Sequence, residues 1–227
     1  MGPHDPTPPI QLLLVDDHVL FRDALAHSLR AELNAQLCGA AATLHEAVKV
    51  VGSCAPSVIL MDIHLERQDG IEVLRELRTH FPKAHVLVLS DLSELVYAER
   101  VIRAGASGYL TKRATTHELH EAIRRVHNGS VHVSAAISDR LVNRVAGNRA
   151  VAPTPVAELL SDRELHVFRC IGQGMSIQEI ANSMFLSVKT AETYRTRIKK
   201  KLRLKDRWEL LKFAIQYANG DDLRTRK

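Results

Sequence analysis

The order of hydrophobic and polar positions divides the chain into two regions. Over the first 128 residues, short apolar runs alternate with stretches in which apolar side chains recur every three or four positions. The apolar runs are candidate strands, at 10–15, 35–41, 58–61, 86–89 and 108–110. Because these runs are apolar throughout rather than alternating, the pattern predicts an α/β fold: a doubly wound, five-stranded parallel sheet with helices on both faces.

The last 70 residues show helical periodicity and no strand signal. Ser161, followed three residues later by Glu164, predicts a capping box that opens a first helix. A short second helix covers 177–184, Ser187 caps a third that reaches Leu202, and a fourth covers 208–217. We therefore expect a small all-α domain of four helices.

Stretches that lack either period set the expected domain boundaries. The segment 146–156 contains a glycine, two prolines and no apolar period, which is typical of a linker. A helix capped by Ser134 is expected just before it. The expected division is a disordered N-terminus over 1–9, the α/β domain over 10–129, a linker with one helix over 130–156, the all-α domain over 157–220 and a tail over 221–227.

Charge is distributed unevenly between the two regions. Residues 157–227 carry 15 Lys and Arg against 9 Asp and Glu, which gives +6, whereas residues 1–156 carry 16 against 17, which gives −1. The two add up to the net charge of +5. A basic domain behind a nearly neutral one favours a nucleic-acid-binding module in the second region.

Composition disfavours several other classes of protein. No apolar run approaches the roughly 20 residues needed to span a bilayer, so we expect no membrane partner and a cytoplasmic location. The three cysteines, Cys38, Cys54 and Cys170, are scattered and lack CxxC spacing. We expect them to be reduced apolar fillers rather than a disulfide framework or a zinc site. None of the 12 histidines stands in an HxxxH or HxH pair, so we expect most of them on the surface.

Polar residues follow several predicted strands at the ends where such sheets bind ligands. Asp16 and Asp17 follow the first strand, Asp62 the third, Ser90 the fourth and Lys112 the fifth. Three converging carboxylates need a cation to balance them, and an oxygen-rich site suits Mg²⁺. One carboxylate would then act as a nucleophile toward a phosphoryl group, whose oxygens the lysine and the hydroxyl would neutralise.

Four segments around these residues carry a family resemblance: VDDH at 15–18, LMDIHLERQDG at 60–70, VLVLSD at 86–91 and AGASGYLTK at 104–112. Together they resemble the receiver domains of two-component response regulators, specifically the NarL/FixJ family, and imply a flavodoxin-like fold. The resemblance implies that Asp62 is the phosphoacceptor and that Asp16 and Asp17 hold Mg²⁺ with it. The backbone carbonyl of His64 would supply a further metal ligand.

The same resemblance assigns the switch residues. Ser90 would bond a phosphoryl oxygen and Lys112 would pair with the phosphoryl group. Tyr109 would be the aromatic that swings inward when Ser90 is drawn to the phosphate.

The third helix of the all-α domain has one apolar and one polar face. Ala191, Tyr194, Ile198 and Leu202 lie on the side expected to face the core, and Lys189, Glu192, Thr193, Thr196, Arg197 and Lys200 on the other. With the short helix before it and the turn at 185–187, this arrangement predicts a helix-turn-helix whose last helix enters the DNA major groove.

The segment 160–202 resembles the LuxR-type helix-turn-helix. The resemblance implies that Glu192, Thr193 and Thr196 read bases, and that Lys189, Thr190, Arg197 and Lys201 contact phosphates or the groove edge. The fourth helix, with Trp208, Leu211 and Phe213, is where domains of this family pair about a two-fold axis.

The leading interpretation is a DNA-binding transcriptional response regulator, switched when a cognate sensor histidine kinase phosphorylates Asp62. It would not be an enzyme beyond assisting its own phosphoryl transfer and dephosphorylation. The implied partners are promoter DNA with inverted repeats, a second copy of the chain when phosphorylated, and RNA polymerase.

Two departures from the family pattern keep an alternative open. Glu66 stands where many members have proline, and Asp91 where a small residue is usual. Extra negative charge there would slow attack or weaken binding of an anionic donor, and the alternative is a phosphorylation-independent DNA-binding regulator. An aspartyl-nucleophile phosphohydrolase is disfavoured, because it would need a DxD motif and a cap domain, whereas Asp16 and Asp17 are adjacent.

Overall fold

A computed structural model describes residues 9–33, 35–52, 54–65, 68–146 and 156–218. The expected N-terminal and C-terminal extensions, Glu66 and most of the Gly- and Pro-containing linker lie outside these ranges. Backbone contacts divide the chain between Asp139 and Arg140 into two compact units, which are described separately below.

The first unit is a parallel sheet of five strands in the order β2-β1-β3-β4-β5. The strands are β1 Ile10–Val15, β2 Ala35–Ala41, β3 Val58–Met61, β4 His85–Ser90 and β5 Gly108–Thr111. The helices are α1 Val19–Glu32, α2 Leu44–Val51, α3 Gly70–His80, α4 Glu94–Arg103, α5 Thr116–His127 and α6 Ala135–Val145. The predicted doubly wound α/β architecture is confirmed.

Both faces of the sheet are buried, as the unbroken apolar runs indicate. Leu12 and Leu14 point to one face and contribute to a core cluster with Leu29 of α1 and Ile123 of α5. Leu13, between them, points to the other face and is fully buried. A central strand covered on both sides explains why β1 is apolar at every position but Gln11.

Two cysteines contradict the expectation that all three are reduced. Cys38 and Cys54 form a disulfide with a Cα–Cα distance of 5.6 Å across 16 residues of sequence. Cys38 is the extra residue of a β-bulge, since Leu12 is paired with Leu37 and Leu13 with Gly39. The bulge turns its side chain toward the loop before β3, which no spacing rule in the sequence indicates. The third cysteine, Cys170, is free and buried in the second unit.

The second unit is helical in its described residues: α7 Val156–Leu159, α8 Asp162–Gly172, α9 Ile177–Ser183, α10 Val188–Leu202 and α11 Arg207–Ala218. The capping box predicted for α8 is present, with Ser161 and Glu164 bonded reciprocally. Phe168 of α8 lies in the core and contacts the rings of Phe213 and Tyr217 on α11.

α8 and α11 approach each other closely at Gly172. A Cβ on this residue would lie 2.3 Å from the carbonyl oxygen of Ala214, so the contact requires glycine. Among the described residues of both units, no helix is both long and apolar enough to cross a bilayer.

Candidate functional site

The backbone ladder of the sheet extends into the predicted acidic site. The Asp62 amide donates to the Val15 carbonyl at 2.8 Å, and the Lys112 amide donates to the Ser90 carbonyl at 3.1 Å. Since these bonds continue the strand pairing past the ends of β3 and β5, the positions of both side chains are set by the sheet rather than by loops.

Lys112 bridges two carboxylates at the centre of this site. Its Nζ lies 2.6 Å from Asp16 Oδ2 and 2.7 Å from Asp62 Oδ2, and all three side chains are at most 7% exposed. Burial alone would lower the pKa of Lys112, but its bonds to Asp16 and Asp62 outweigh burial and raise the pKa above its usual value. The lysine is therefore a fixed positive charge beside the predicted phosphoacceptor.

The remaining acidic residue and a histidine complete the cluster. One ligand atom from each of Asp16, Asp17, His18 and Asp62 lies within 4.8 Å of the others. His18 Nδ1 is 3.0 Å from Asp17 Oδ1 and 3.2 Å from Asp16 Oδ1. The three carboxylates are the hard oxygen donors that Mg²⁺ takes, so they fit that ion. His18 was missed in the sequence, although it directly follows Asp17.

Backbone and side-chain donors orient the carboxylates. The His64 amide donates to Asp62 Oδ1 at 2.8 Å. Arg22 donates to the backbone carbonyl of Asp16 at 2.5 Å, which holds the loop after β1. The ring of Phe21 lies 4.4 Å from Lys112 Nζ, so one side of the ammonium faces an aromatic surface. Neither Arg22 nor Phe21 was predicted from the sequence.

The two predicted switch residues share one loop. Ser90 is fully buried and Tyr109 is 1% exposed. The Tyr109 hydroxyl donates to the Leu92 carbonyl at 2.7 Å, and the Leu92 amide lies 3.5 Å from Ser90 Oγ. Burial raises the pKa of Tyr109 well above its usual value, so the phenol stays protonated. Leu92 thus connects both side chains to the loop between β4 and α4.

Asp91, the departure that follows Ser90, is exposed. Glu66, the other departure, lies outside the described residues. The structure therefore shows Asp91 as a solvated charge rather than as a member of the buried cluster.

In the second unit, α9 and α10 are joined by a tight turn. Phe185 in this turn has a φ of 53° and is 86% exposed. Ser187 caps α10, accepting from the Thr190 amide at 3.0 Å. Ala191, Ile198 and Leu202 are buried as predicted, and Tyr194 is half-buried. α10 therefore has one core face and one solvent face.

Most of the predicted DNA-contacting residues lie on the solvent face of α10. The exposed ones are Lys189, Thr193, Thr196, Arg197, Lys200 and Lys201, while Thr190 and Glu192 are partly exposed. The Thr193 and Thr196 hydroxyls donate to the carbonyls of Lys189 and Glu192 at 2.9 and 3.0 Å. Their methyl groups and oxygen lone pairs remain available to a ligand.

Two residues of this predicted set are engaged in ion pairs. Lys201 Nζ lies 2.5 Å from Glu164 Oε2, the carboxylate of the α8 capping box, which is 4% exposed. Burial alone would raise the pKa of Glu164, but its bonds with Lys201 and Ser161 lower it below the usual value. Glu192 pairs with Arg195 at 2.5 Å. Lys201 therefore fixes the end of α10 against the start of α8.

The apolar stripe expected on the fourth helix is divided between core and surface. Phe213 faces Phe168 in the core. Trp208 is 68% and Ile215 41% exposed, and they lie seven residues apart on α11. The surface part of the stripe thus consists of Trp208 and Ile215.

A parallel sheet with an acidic, lysine-bridged site, followed by a helix-turn-helix, defines a response regulator with a DNA-binding domain. Two family models match the chain: the response regulator receiver domain over residues 12–124, and the bacterial regulatory proteins of the luxR family over residues 158–214. The chain belongs to the NarL/FixJ family of response regulators, which are transcription regulators rather than classical enzymes.

Similar proteins cover nearly the whole chain. The oxygen regulatory protein NreC of Staphylococcus aureus is 31% identical over 211 residues, which are 91% of this chain and 97% of NreC. The response regulator RcsB of Salmonella typhimurium has the same fold, with a TM-score of 0.71 and 19% identity over 92% of this chain and 98% of RcsB. A structure of RcsB on the rprA promoter with the phosphomimetic BeF3− has a TM-score of 0.67 and 20% identity, and covers 91% of this chain and 98% of that one.

Proposed function

We propose that this response regulator is switched by phosphorylation of Asp62, with a sensor histidine kinase as the donor. The observation that carries the proposal is the buried Lys112 ammonium, bonded to Asp16 and Asp62 at once. A lysine that only neutralised surface carboxylates would not need burial at the ends of three neighbouring strands.

The chemistry is a phosphoryl transfer to a carboxylate. An Asp62 oxygen forms a bond to phosphorus as the bond between phosphorus and the donor histidine nitrogen breaks, and the electron pair stays on that nitrogen. Lys112 then moves from balancing two carboxylates to balancing the new phosphoryl oxygens. Ser90, fully buried beside the site, donates its hydroxyl to one of them. The reverse attack by water, assisted by the same residues, returns Asp62 to the carboxylate.

Asp16, Asp17 and Asp62, with the His64 backbone carbonyl, would hold Mg²⁺. When bound, this ion offsets the negative charge of the carboxylates and of the transferred group. The oxygen donors gathered within 4.8 Å support this assignment.

The output is sequence-specific DNA binding as a dimer. Thr193, Thr196 and Arg197 form an exposed stripe on α10 that fits the width of the major groove, with the lysines at the helix ends reaching phosphates. Trp208 and Ile215 supply an apolar surface for a second copy, which would place two recognition helices on an inverted repeat. Promoter-bound RNA polymerase is the expected partner of the bound dimer.

The test is DNA selection coupled to phosphorylation. Wild type and Asp62→Asn are each used to select binding sites from a random duplex pool with acetyl phosphate and Mg²⁺ present, and affinity for the enriched site is then measured by fluorescence anisotropy. We expect wild type to enrich an inverted repeat and to bind it more tightly when phosphorylated, by about tenfold or more if dimerisation is coupled to phosphorylation. Asp62→Asn should show no such gain.

Equal affinity with and without the phosphoryl group would instead support the alternative, a phosphorylation-independent regulator. The exposed charge of Asp91 beside Ser90 is the observation that favours this alternative. Asp91→Ser distinguishes the two: it should speed phosphorylation if the charge only tunes the rate, and change nothing if the site is passive.

A further inference from the structure

The segment after α5 is attached to the edge of the sheet beside β5. The His132 amide donates to the Ser107 carbonyl at 3.0 Å, and its carbonyl accepts from the Tyr109 amide at 2.8 Å. A Cβ on Gly108 would lie 2.7 Å from that same carbonyl, so the approach requires glycine. The chain between α5 and α6 therefore lies directly against the strand that carries Tyr109.

This segment then reaches the start of α4. Ser134 stands immediately before α6, and its carbonyl accepts from the Ser138 amide at 2.9 Å in the first turn of that helix. The Ser134 amide donates to Glu94 Oε1 at 3.0 Å, and Glu94 is the first residue of α4. Because amides at a helix N-terminus lack partners within the helix, a carboxylate here stabilises α6 by its hydrogen bond and by its charge.

Glu94 is also close to the residues that respond at Asp62. β4 ends at Ser90, and the loop between Ser90 and Glu94 is held by the bond from the Tyr109 hydroxyl to the Leu92 carbonyl, 2.7 Å long. If Ser90 moves toward a phosphoryl group, Leu92 and the first turn of α4 move with it. The carboxylate of Glu94 is carried along.

We propose that Glu94 is a positioning residue that couples phosphorylation of Asp62 to the first turn of α6, and so to the chain leading into the DNA-binding domain. The proposal rests on the proposed function. Without the phosphoryl group, Glu94 holds the Ser134 amide. When the loop follows Ser90, that bond is lost and the first turn of α6 loosens.

Amide hydrogen exchange measured by NMR on the full chain tests this coupling, with and without acetyl phosphate and Mg²⁺. The variants are Glu94→Ala and the control Glu99→Ala, which lies on the same helix and pairs with Arg103. In wild type, exchange at Ser134 should rise about fivefold on phosphorylation, the equivalent of losing a helix-capping interaction. Glu94→Ala should exchange at the faster rate in both states, and Glu99→Ala should behave as wild type.

A Phos-tag gel of the same samples separates this proposal from the one it rests on. Glu94→Ala should be phosphorylated as fully as wild type, because Glu94 does not touch Asp62. Exchange at Ser134 that ignores phosphorylation in wild type would overturn the coupling, as would a phosphorylation-dependent change that survives in Glu94→Ala. If the gel shows no phosphorylated wild type, the proposed function fails as well. Should Glu94→Ala not fold, Glu94→Gln keeps an acceptor oxygen and should give an intermediate exchange rate.

Discussion

The two candidate sites of this chain use polar residues in opposite ways. At the strand ends, Asp16, Asp62 and Lys112 are buried and bonded to one another at 2.6 and 2.7 Å. On α10, Thr193 and Thr196 are exposed, and their hydroxyls donate only within their own helix, to carbonyls one turn earlier. Buried charges need partners, whereas a solvated face keeps its groups available to a ligand.

This difference separates stability from binding. A substitution in the acidic cluster leaves an uncompensated charge in the interior, so it should change both folding and chemistry. A substitution on the α10 face should change DNA binding and leave the fold almost untouched. The following predictions test that separation.

The largest effect is expected when the same change is made in both regions. Lys112→Gln leaves Asp16 and Asp62 side by side without their cation, and should lower the free energy of unfolding by about 3 kcal/mol in EDTA. Lys200→Gln, on the exposed face of α10, should change it by less than about 0.5 kcal/mol. Urea unfolding followed by circular dichroism measures both. Equal losses in the two variants would refute the distinction.

Arg197→Ala should have the opposite profile. Loss of an arginine at the DNA surface should weaken binding by about 1–3 kcal/mol, or roughly tenfold to a hundredfold. The thermal unfolding midpoint should not move, since the side chain is exposed. Fluorescence anisotropy with the selected site measures affinity, and Lys212→Ala on α11 is the control for loss of one surface charge. A drop in stability as large as that of Lys112→Gln would contradict the assignment.

Glu164 is the exception that sharpens the comparison, because it is a buried charge in the DNA-binding domain. Its pKa in the folded state lies below the ordinary 4.5, so its contribution to stability is fully present above that value and is lost as the pH falls through the folded pKa. Glu164→Gln should therefore cost about 1 kcal/mol at neutral pH, an amount kept small because Lys201 is partly exposed. The difference from wild type should disappear in acid. Lys201→Met should remove most of the same pH dependence, and a difference that grows in acid would show the sign to be wrong.

The smallest effect is expected in the turn before α10. Phe185 adopts a φ of 53°, which asparagine tolerates better than phenylalanine, and its ring makes little use of the core because it is 86% exposed. Phe185→Asn should raise the free energy of unfolding by about 0.5 kcal/mol. Thermal unfolding measures this, with Val188→Asn as the exposed neighbour for comparison. A loss of DNA affinity in Phe185→Asn would assign the ring a direct contact.

The same contrast explains what could be predicted from the sequence. Asp16, Asp62, Ser90 and Lys112 were all placed correctly at the sheet edge, because each directly follows or ends an unbroken apolar run and a parallel sheet brings those ends together. On α10 the helical period predicted the exposed face. It did not predict which members of that face are already bonded.

The features that were missed depend on contacts between distant parts of the chain. Lys201 reaches Glu164 across 37 residues, and no period links the two. Cys38 and Cys54 are joined only because a bulge in β2 redirects one side chain. The contact between Glu94 and Ser134 spans 40 residues and joins a side chain to a backbone amide, which leaves no signal in the side-chain pattern.

The central claim is that Asp62 accepts the phosphoryl group. The most direct measurement is mobility on a Phos-tag gel after incubation with Mg²⁺ and acetyl phosphate, for wild type, Asp62→Asn and Asp91→Asn. The account predicts a retarded band for wild type and for Asp91→Asn, and none for Asp62→Asn. A retarded band in Asp62→Asn would show that another residue is the acceptor. No band in wild type, with a sensor histidine kinase as donor as well, would contradict the account.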